Sequence, residues 1–206
     1  MAIKTQNHVD QQSQQAQQSK NCQTGAQFKS LNDLLIWQLM DLYDAENQLV
    51  KTLPAMARAA DSEELKQVFE KHSQETTEHV TRLENALKKL GVPVKRKSCK
   101  AMEGIIAECN EAIQQSAEPC VHDAFLIAAA QRVEHYEIAG YGCTRAFAKR
   151  LGHHEVAEWL GATLEEEYAA DKKFTEIAES GINEEAVCCG TGQAVAAHSS
   201  DRSCGC

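Results

Sequence analysis

Four long stretches of this 206-residue chain repeat apolar side chains at intervals of three and four residues. In the first stretch the repeat consists of Leu31, Leu35, Leu39, Leu42, Leu49, Leu53 and Met56. This spacing is the period of one face of an α-helix. The chain has only 3 Pro and 11 Gly, so few residues would interrupt such helices. The pattern therefore predicts an all-α protein.

Capping and stop residues mark where the predicted helices begin and end. Asp61 and Ser62 offer an N-cap, and Gly91, Gly152 and Gly181 are typical helix stops. The pattern predicts long helices over about 31–60, 63–90, 120–151 and 154–180. A shorter helix over about 100–116 lies in the connection between the second and third of them. Pro54 falls inside the first helix and should kink it or mark a late break.

Four helices of this length predict a four-helix bundle. The long connection between the second and third helices, which contains the short helix, can carry the chain to the far end of the bundle. This topology is ferritin-like. We therefore expect a ferritin-like four-helix bundle with an extra short helix in the long 2–3 connection.

Composition separates the helical body from two tails. Residues 1–29 are rich in Gln, Ser and Asn and have few large apolar side chains, which predicts a disordered tail. Residues 30–181 form the predicted bundle, and residues 182–206 form a predicted flexible tail that contains cysteines. The tail cysteines could bind a soft metal or exchange between thiol and disulfide, or could belong to a simple flexible tail: Cys188, Cys189, Cys204 and Cys206. The remaining helical cysteines are expected to be reduced: Cys99, Cys109, Cys120 and Cys143.

The formal net charge of −9 argues against a nucleic-acid partner, because phosphate neutralisation needs a basic surface. No apolar run reaches the length of about 18 residues that predicts a membrane-spanning helix. The first ten residues contain no apolar core of a secretory signal. We therefore expect a cytoplasmic protein without a membrane partner.

Each long helix places carboxylates on its apolar stripe near its middle. The interrupting acids are Glu46 in the first helix, Glu75 in the second, Glu134 and Glu137 in the third, and Glu167 and Asp171 in the fourth. An unpaired carboxylate in a bundle core costs several kcal/mol, so such a set must be protonated, paired or bound to cations. Two divalent cations bridged by carboxylates satisfy it most directly, and an oxygen-rich set of ligands suits Fe or Mn.

Five sequence strings resemble the YciF/YciE family (DUF892) of ferritin-like bacterial stress proteins. They are DLYDAENQL, LKQVFEKHSQET, AMEGIIAE, AAAQRVEHYEIAGYG and TLEEEYAAD, and the resemblance covers about residues 30–180. The family is related to rubrerythrin and manganese catalase and is often dimeric. The resemblance implies a centre of two Fe or Mn ions per chain, at Glu46, Glu75, Glu134, Glu137 and Glu167, with His72 and Asp171 close by.

The sequence departs from the usual Glu-x-x-His ligand motif in the second helix. That motif requires a histidine at position 78, where this chain has Glu78. His72 and His79 lie three residues before and four residues after Glu75, and either could bind a metal or orient a carboxylate. His135 points away from the stripe and is assigned an orienting or structural role.

These observations predict a dinuclear metal protein of the bacterial stress response that reacts with peroxide or oxygen. It could be an oxidoreductase of catalase, peroxidase or oxidase type, and the resemblance implies a homodimer. Two alternatives stay open. One is a non-catalytic structural or interaction bundle whose acids are protonated or paired with arginines, and the other is an iron-binding or storage protein.

Overall fold

The computed structural model describes residues 28–191. Within this range the chain is helical, and no strand occurs among the described residues. The helices are α1 (Leu31–Ala59), α2 (Glu63–Lys89), α3 (Lys100–Gln114), α4 (Pro119–Arg150), α5 (His154–Ile177) and α6 (Asn183–Thr191), with a π-helical turn over Ala178–Ile182. The predicted all-α bundle with a short helix in the long connection is confirmed. The predicted tail over residues 1–29 lies outside the described residues, except for its last two positions.

Local capping explains where the long helices begin and end. The hydroxyl groups of Ser30 and Ser62 accept hydrogen bonds from the third residue beyond them, as helix N-caps do. Gly91 and Gly152 follow α2 and α4 with φ of 71° and 78°, a conformation that favours glycine. The first helix continues through Pro54 and ends at Ala59, so the proline does not break it.

The bundle consists of two helical pairs, with α3 packed outside them. The most extensive packing joins α1 to α2 and α4 to α5, and the connections within these pairs are short. The third helix packs against α1 and α4. Two apolar clusters fill the interior. One contains Leu49, Phe69 and Phe174, and the other contains Leu39 and Leu83.

The chain stays helical beyond Gly181, where the sequence predicts a flexible tail. Gly181 does not adopt a positive φ, and the buried side chain of Ile182 packs into the first apolar cluster. This burial holds the following segment, α6, against the bundle. The prediction of a flexible tail from residue 182 is therefore wrong for residues 182–191. The rest of the predicted tail, with Cys204 and Cys206, lies outside the described residues.

One of the cysteines expected to be reduced is paired. Cys120, at the start of α4, forms a disulfide with Cys189 of α6, so that expectation is wrong for Cys120. Cys99, Cys109 and Cys143 carry free thiols, as expected. Among the described helices, none is long and apolar enough to cross a membrane.

Candidate metal centre

Six ionisable side chains lie between the two apolar clusters, near the middle of the four long helices. All are buried: Glu46 on α1, His72 and His79 on α2, Glu134 and Glu137 on α4, and Glu167 on α5. On each helix these polar residues lie on the same face as the apolar stripe. The periodicity that buries the leucines therefore buries these groups as well.

The register of α2 decides which of its polar residues enter the core. Its buried side chains are Leu65, Phe69, His72, Thr76, His79 and Leu83, which alternate at spacings of four and three, together with Ala86 and Leu87. This register carries both histidines into the interior and turns Glu75 to the edge of the helix. The side chain of Glu75 is 22% exposed.

Glu46, His79 and Glu167 form the first group of candidate ligands. One donor atom from each lies within 4.8 Å of the others. Nδ1 of His79 lies 3.0 Å from Oε1 of Glu167 and 3.4 Å from Oε1 of Glu46. The phenol of Tyr141 donates a hydrogen bond to Oε1 of Glu46 and so fixes that carboxylate from the side.

His72, Glu134, Glu137 and Glu167 form the second group, also with donor atoms within 4.8 Å of one another. Nε2 of His72 lies 3.2 Å from Oε1 of Glu134 and 3.7 Å from Oε2 of Glu167. Glu167 thus belongs to both groups and turns a different oxygen towards each histidine. A carboxylate in this position could contribute a ligand atom to each group.

Most of these donor atoms have no hydrogen-bond partner among the described residues. Both oxygens of Glu134, Glu137 and Glu167 are buried and unpartnered, as is Nδ1 of His79. Leaving buried polar groups unpaired costs free energy, and clustered carboxylates add mutual repulsion. Two divalent cations would neutralise the four carboxylates and occupy these atoms, so the residues present fit a dinuclear centre.

Burial shifts the pKa values of the cluster strongly. It raises the pKa of Glu46 and of Glu167, and it raises that of Glu137 well above its usual range, with the charges of Glu46 and Glu167 adding to the effect. Burial alone would lower the pKa of both histidines. The carboxylates around them outweigh it, so the pKa of His79 rises to about 10 and that of His72 rises well above its ordinary value. Metal ligands must release their protons, so a bound cation would take the place of these protons.

The outer nitrogen of each buried histidine faces a carboxylate at the edge of the bundle. Nε2 of His79 lies 2.9 Å from Oε2 of Glu166, which the guanidinium of Arg82 holds through both oxygens. Nδ1 of His72 lies 3.9 Å from Oε2 of Glu75, whose other oxygen accepts from Lys71. The neighbouring His72 and Lys71 keep the pKa of Glu75 at about 2 despite partial burial. Such carboxylates orient metal-binding imidazoles.

The structure brings together most, but not all, of the residues predicted from sequence. Glu46, Glu134, Glu137, Glu167 and His72 meet in the interior, and His79, left open as an alternative to His72, joins them. Neither candidate group contains Glu75 or Asp171.

Asp171 lies at the edge of α5, because Glu167, Ala170 and Phe174 take the buried positions there. Its side chain is 23% exposed, and its carboxylate accepts a hydrogen bond from Gln131. Sequence reasoning missed Glu166, whose only signal is its position next to Glu167. His135 is 70% exposed and lies 3.4 Å from Asp171, outside the centre.

Comparison with known proteins agrees with this architecture. The family model described as "Domain of unknown function (DUF892)" matches residues 30–187. The chain is 43% identical over 160 residues to Protein YciF of Escherichia coli strain K12, covering 77% of this chain and 96% of that protein.

Solved structures share the fold. The crystal structure of the E. coli stress protein YciF superposes with a TM-score of 0.73 at 43% identity, covering 76% of this chain and 99% of the other. YcfI of Rhodopseudomonas palustris, for which a structural role has been suggested, gives 0.71 at 39% identity, with coverages of 73% and 96%. A protein of Xanthomonas campestris pv. campestris, 21% identical, shares the fold with a TM-score of 0.60 and coverages of 79% and 98%. By its sequence match and its ferritin-like bundle, the chain belongs to the DUF892 family that includes YciF.

Proposed function

We propose that this protein is a dinuclear Fe or Mn protein that reacts with peroxide or oxygen under stress. The observation that carries the proposal is Glu167, a buried carboxylate whose two unpartnered oxygens each face a different histidine-containing group. Glu46 and His79 would hold one ion, and His72, Glu134 and Glu137 would hold the other. Two adjacent redox-active ions supply two-electron chemistry towards peroxide or oxygen.

The remaining residues of the site hold the ligands in place and exclude water. Tyr141 fixes the orientation of Glu46, and Glu166 with Arg82 keeps Nδ1 of His79 turned inwards. The two apolar clusters close the interior above and below the six ligands. In such a dry environment the charges of the ligands are poorly screened, which favours tight cation binding.

Elemental analysis of protein isolated without added metal tests the proposal. We expect about two transition-metal ions per chain, and fewer than about one would refute it. Glu167→Gln keeps the shape of the side chain but removes the shared charge, so both ions should be lost. The matched control is Glu165→Gln, on the exposed side of the same helix, which should retain both ions. A peroxide-decay assay on the same samples then measures turnover.

A structural or interaction bundle is the second candidate. The raised pKa values of Glu46, Glu137 and Glu167 allow these carboxyl groups to be neutral without metal, and a structural role has been suggested for the R. palustris relative. This candidate predicts the same melting temperature with and without a chelator, whereas a dinuclear centre predicts a lower one with it.

The assembly is a separate part of the proposal. We infer a homodimer in the cytoplasm, by analogy with the family. Light scattering on the purified protein measures the mass. A dimer would exclude storage in a closed shell of many subunits, and a large closed assembly would favour storage over the dimer.

A further inference from the structure

A groove between α2 and α5 runs from the surface to His72, one of the six candidate ligands. It has a volume of about 500 Å³. Val68, Lys71, His72 and Glu75 line it from α2, and Ala169 and Lys173 line it from α5. His72 is the member of this wall that also belongs to the centre.

The inner end of the groove is a single imidazole ring. His72 is 1% exposed, and its Nδ1 has no hydrogen-bond partner among the described residues. The nearest carboxylate oxygen, on Glu75, lies 3.9 Å away, a distance that leaves room for bridging by a small polar molecule. The other nitrogen of the same ring faces Glu134 inside the centre. One ring therefore separates the groove from the ligands.

The charged groups at the mouth of the groove are paired with one another. Lys71 contacts Glu75 along α2, and Nζ of Lys173 lies 2.9 Å from Oε1 of Glu64 across the groove. Two cations are thus balanced by two carboxylates, and the wall between them is apolar at Val68 and Ala169. A charged solute would gain little here, while a small uncharged polar molecule meets no electrostatic barrier.

Two other approaches to the centre are less direct in the part of the chain that the structure describes. At His79, the carboxylate of Glu166 already occupies the outer nitrogen, and Arg82 holds that carboxylate in place. A second groove, of about 520 Å³ between α1, the 90–99 connection and α4, is lined by none of the six candidate ligands. At that groove the phenol of Tyr136 donates to Asp41 over 2.7 Å.

We propose that the α2–α5 groove is the entrance for the oxidant and that it admits a small uncharged peroxide, which first meets Nδ1 of His72. This inference rests on the proposed dinuclear function and adds to it a route, a substrate class and a first contact. Hydrogen peroxide fits the requirement, since it is uncharged, small and both donates and accepts hydrogen bonds.

Narrowing the groove tests the route. Ala169 is exposed on α5, so Ala169→Trp fills the groove from outside without disturbing the core. Ala162→Trp, exposed elsewhere on the same helix, is the matched control. Protein loaded with Fe(II) is mixed with hydrogen peroxide in a stopped-flow instrument, and the metal-free variants are titrated with Co²⁺. We expect at least a tenfold slower reaction for Ala169→Trp, with unchanged Co²⁺ stoichiometry and affinity, and the control at the wild-type rate.

Widening the groove tests the size limit independently. Val68→Ala should increase the rate with tert-butyl hydroperoxide relative to that with hydrogen peroxide. An unchanged ratio of the two rates would overturn the route. So would an Ala169→Trp variant that carries full metal and reacts at the wild-type rate. Neither result would contradict the dinuclear centre itself. Slower metal uptake with a normal peroxide rate would also overturn it, since the groove would then be the path of the metal. If the wild-type protein takes up no metal, the proposed function itself fails, and the route fails with it.

Discussion

The metal-free protein should become less stable as the pH rises from 6 to 8. Burial raises the pKa of Glu46, Glu137 and Glu167, and the neighbouring carboxylates raise that of His79 to about 10. The folded chain therefore holds more protons than the unfolded chain throughout this interval. Stability falls with pH wherever the folded state binds more protons. The lowered pKa of Glu75 acts only below its ordinary value of 4.5, outside the interval.

The size of the effect can be worked out from His79. Its folded pKa of about 10 compares with an ordinary value of 6.5, so its contribution is complete below pH 6.5 and is lost as the pH rises towards 10. Each pH unit above the unfolded pKa removes about 1.4 kcal/mol, so this residue alone removes about 2 kcal/mol between pH 6 and pH 8. For a domain of this size that is a fall in Tm of roughly 4–8 °C. The buried carboxyl groups change stability in the same direction.

Thermal unfolding followed by circular dichroism, in the presence of a chelator, measures this slope. His79→Gln should reduce it, while the exposed His154→Gln should leave it unchanged. In the loaded protein the slope should flatten or reverse, because bound cations replace the protons. A metal-free Tm that is constant or rises from pH 6 to 8 would refute the assignment of a protonated His79 between Glu46 and Glu167.

Two further substitutions test the packing around the centre. Tyr141→Phe removes the hydrogen bond to Glu46. Urea unfolding of the metal-free protein should show a free energy of unfolding lower by about 1–3 kcal/mol. A loss below about 0.5 kcal/mol would contradict the role of this hydrogen bond. Gly142→Ala, whose added Cβ meets nothing within 4 Å, should stabilise α4 by about 0.5–1 kcal/mol. Gly140→Ala places its Cβ 2.8 Å from Cδ2 of the buried Leu42, so overpacking should cancel that gain. The Gly140→Ala variant should be at least about 1 kcal/mol less stable than Gly142→Ala. Equal stabilities of the two variants would contradict this prediction.

The long helices could be predicted from the sequence because local signals agree with the apolar period. Ser62, Gly91 and Gly152 act within one turn of a helix end, and the structure places the boundaries of α2 and α4 beside them. Gly181 carries the same local signal, but the outcome there is set by a distant contact, the burial of Ile182 in the core. The pairing of Cys120 with Cys189 is likewise a tertiary event that no spacing along the chain reveals.

The candidate ligands could be predicted where the sequence fixes which face of a helix is buried. Glu46, Glu134 and Glu137 could be assigned because apolar residues on both sides fix the phase of their helices. On α2 the choice between His72 and Glu75 depends on which edge of the stripe faces the centre. Two side chains three residues apart lie about 60° from each other around a helix. This small difference decides whether a side chain is a candidate ligand or a partner of one.

The histidines of α2 also determine the charge balance of the core. A helix that supplied carboxylates at both buried positions would bring six negative charges together, two more than a pair of divalent ions can neutralise. With imidazoles there, four carboxylates remain, which two divalent ions would balance. The imidazoles in turn need their outer nitrogens oriented, and Glu75 and Glu166 lie there at the edge of the bundle, each held by a cation, Lys71 or Arg82. One cause, the register that turns His72 and His79 inwards, therefore both displaces Glu75 from the centre and limits its carboxylates to the number that two divalent ions would neutralise.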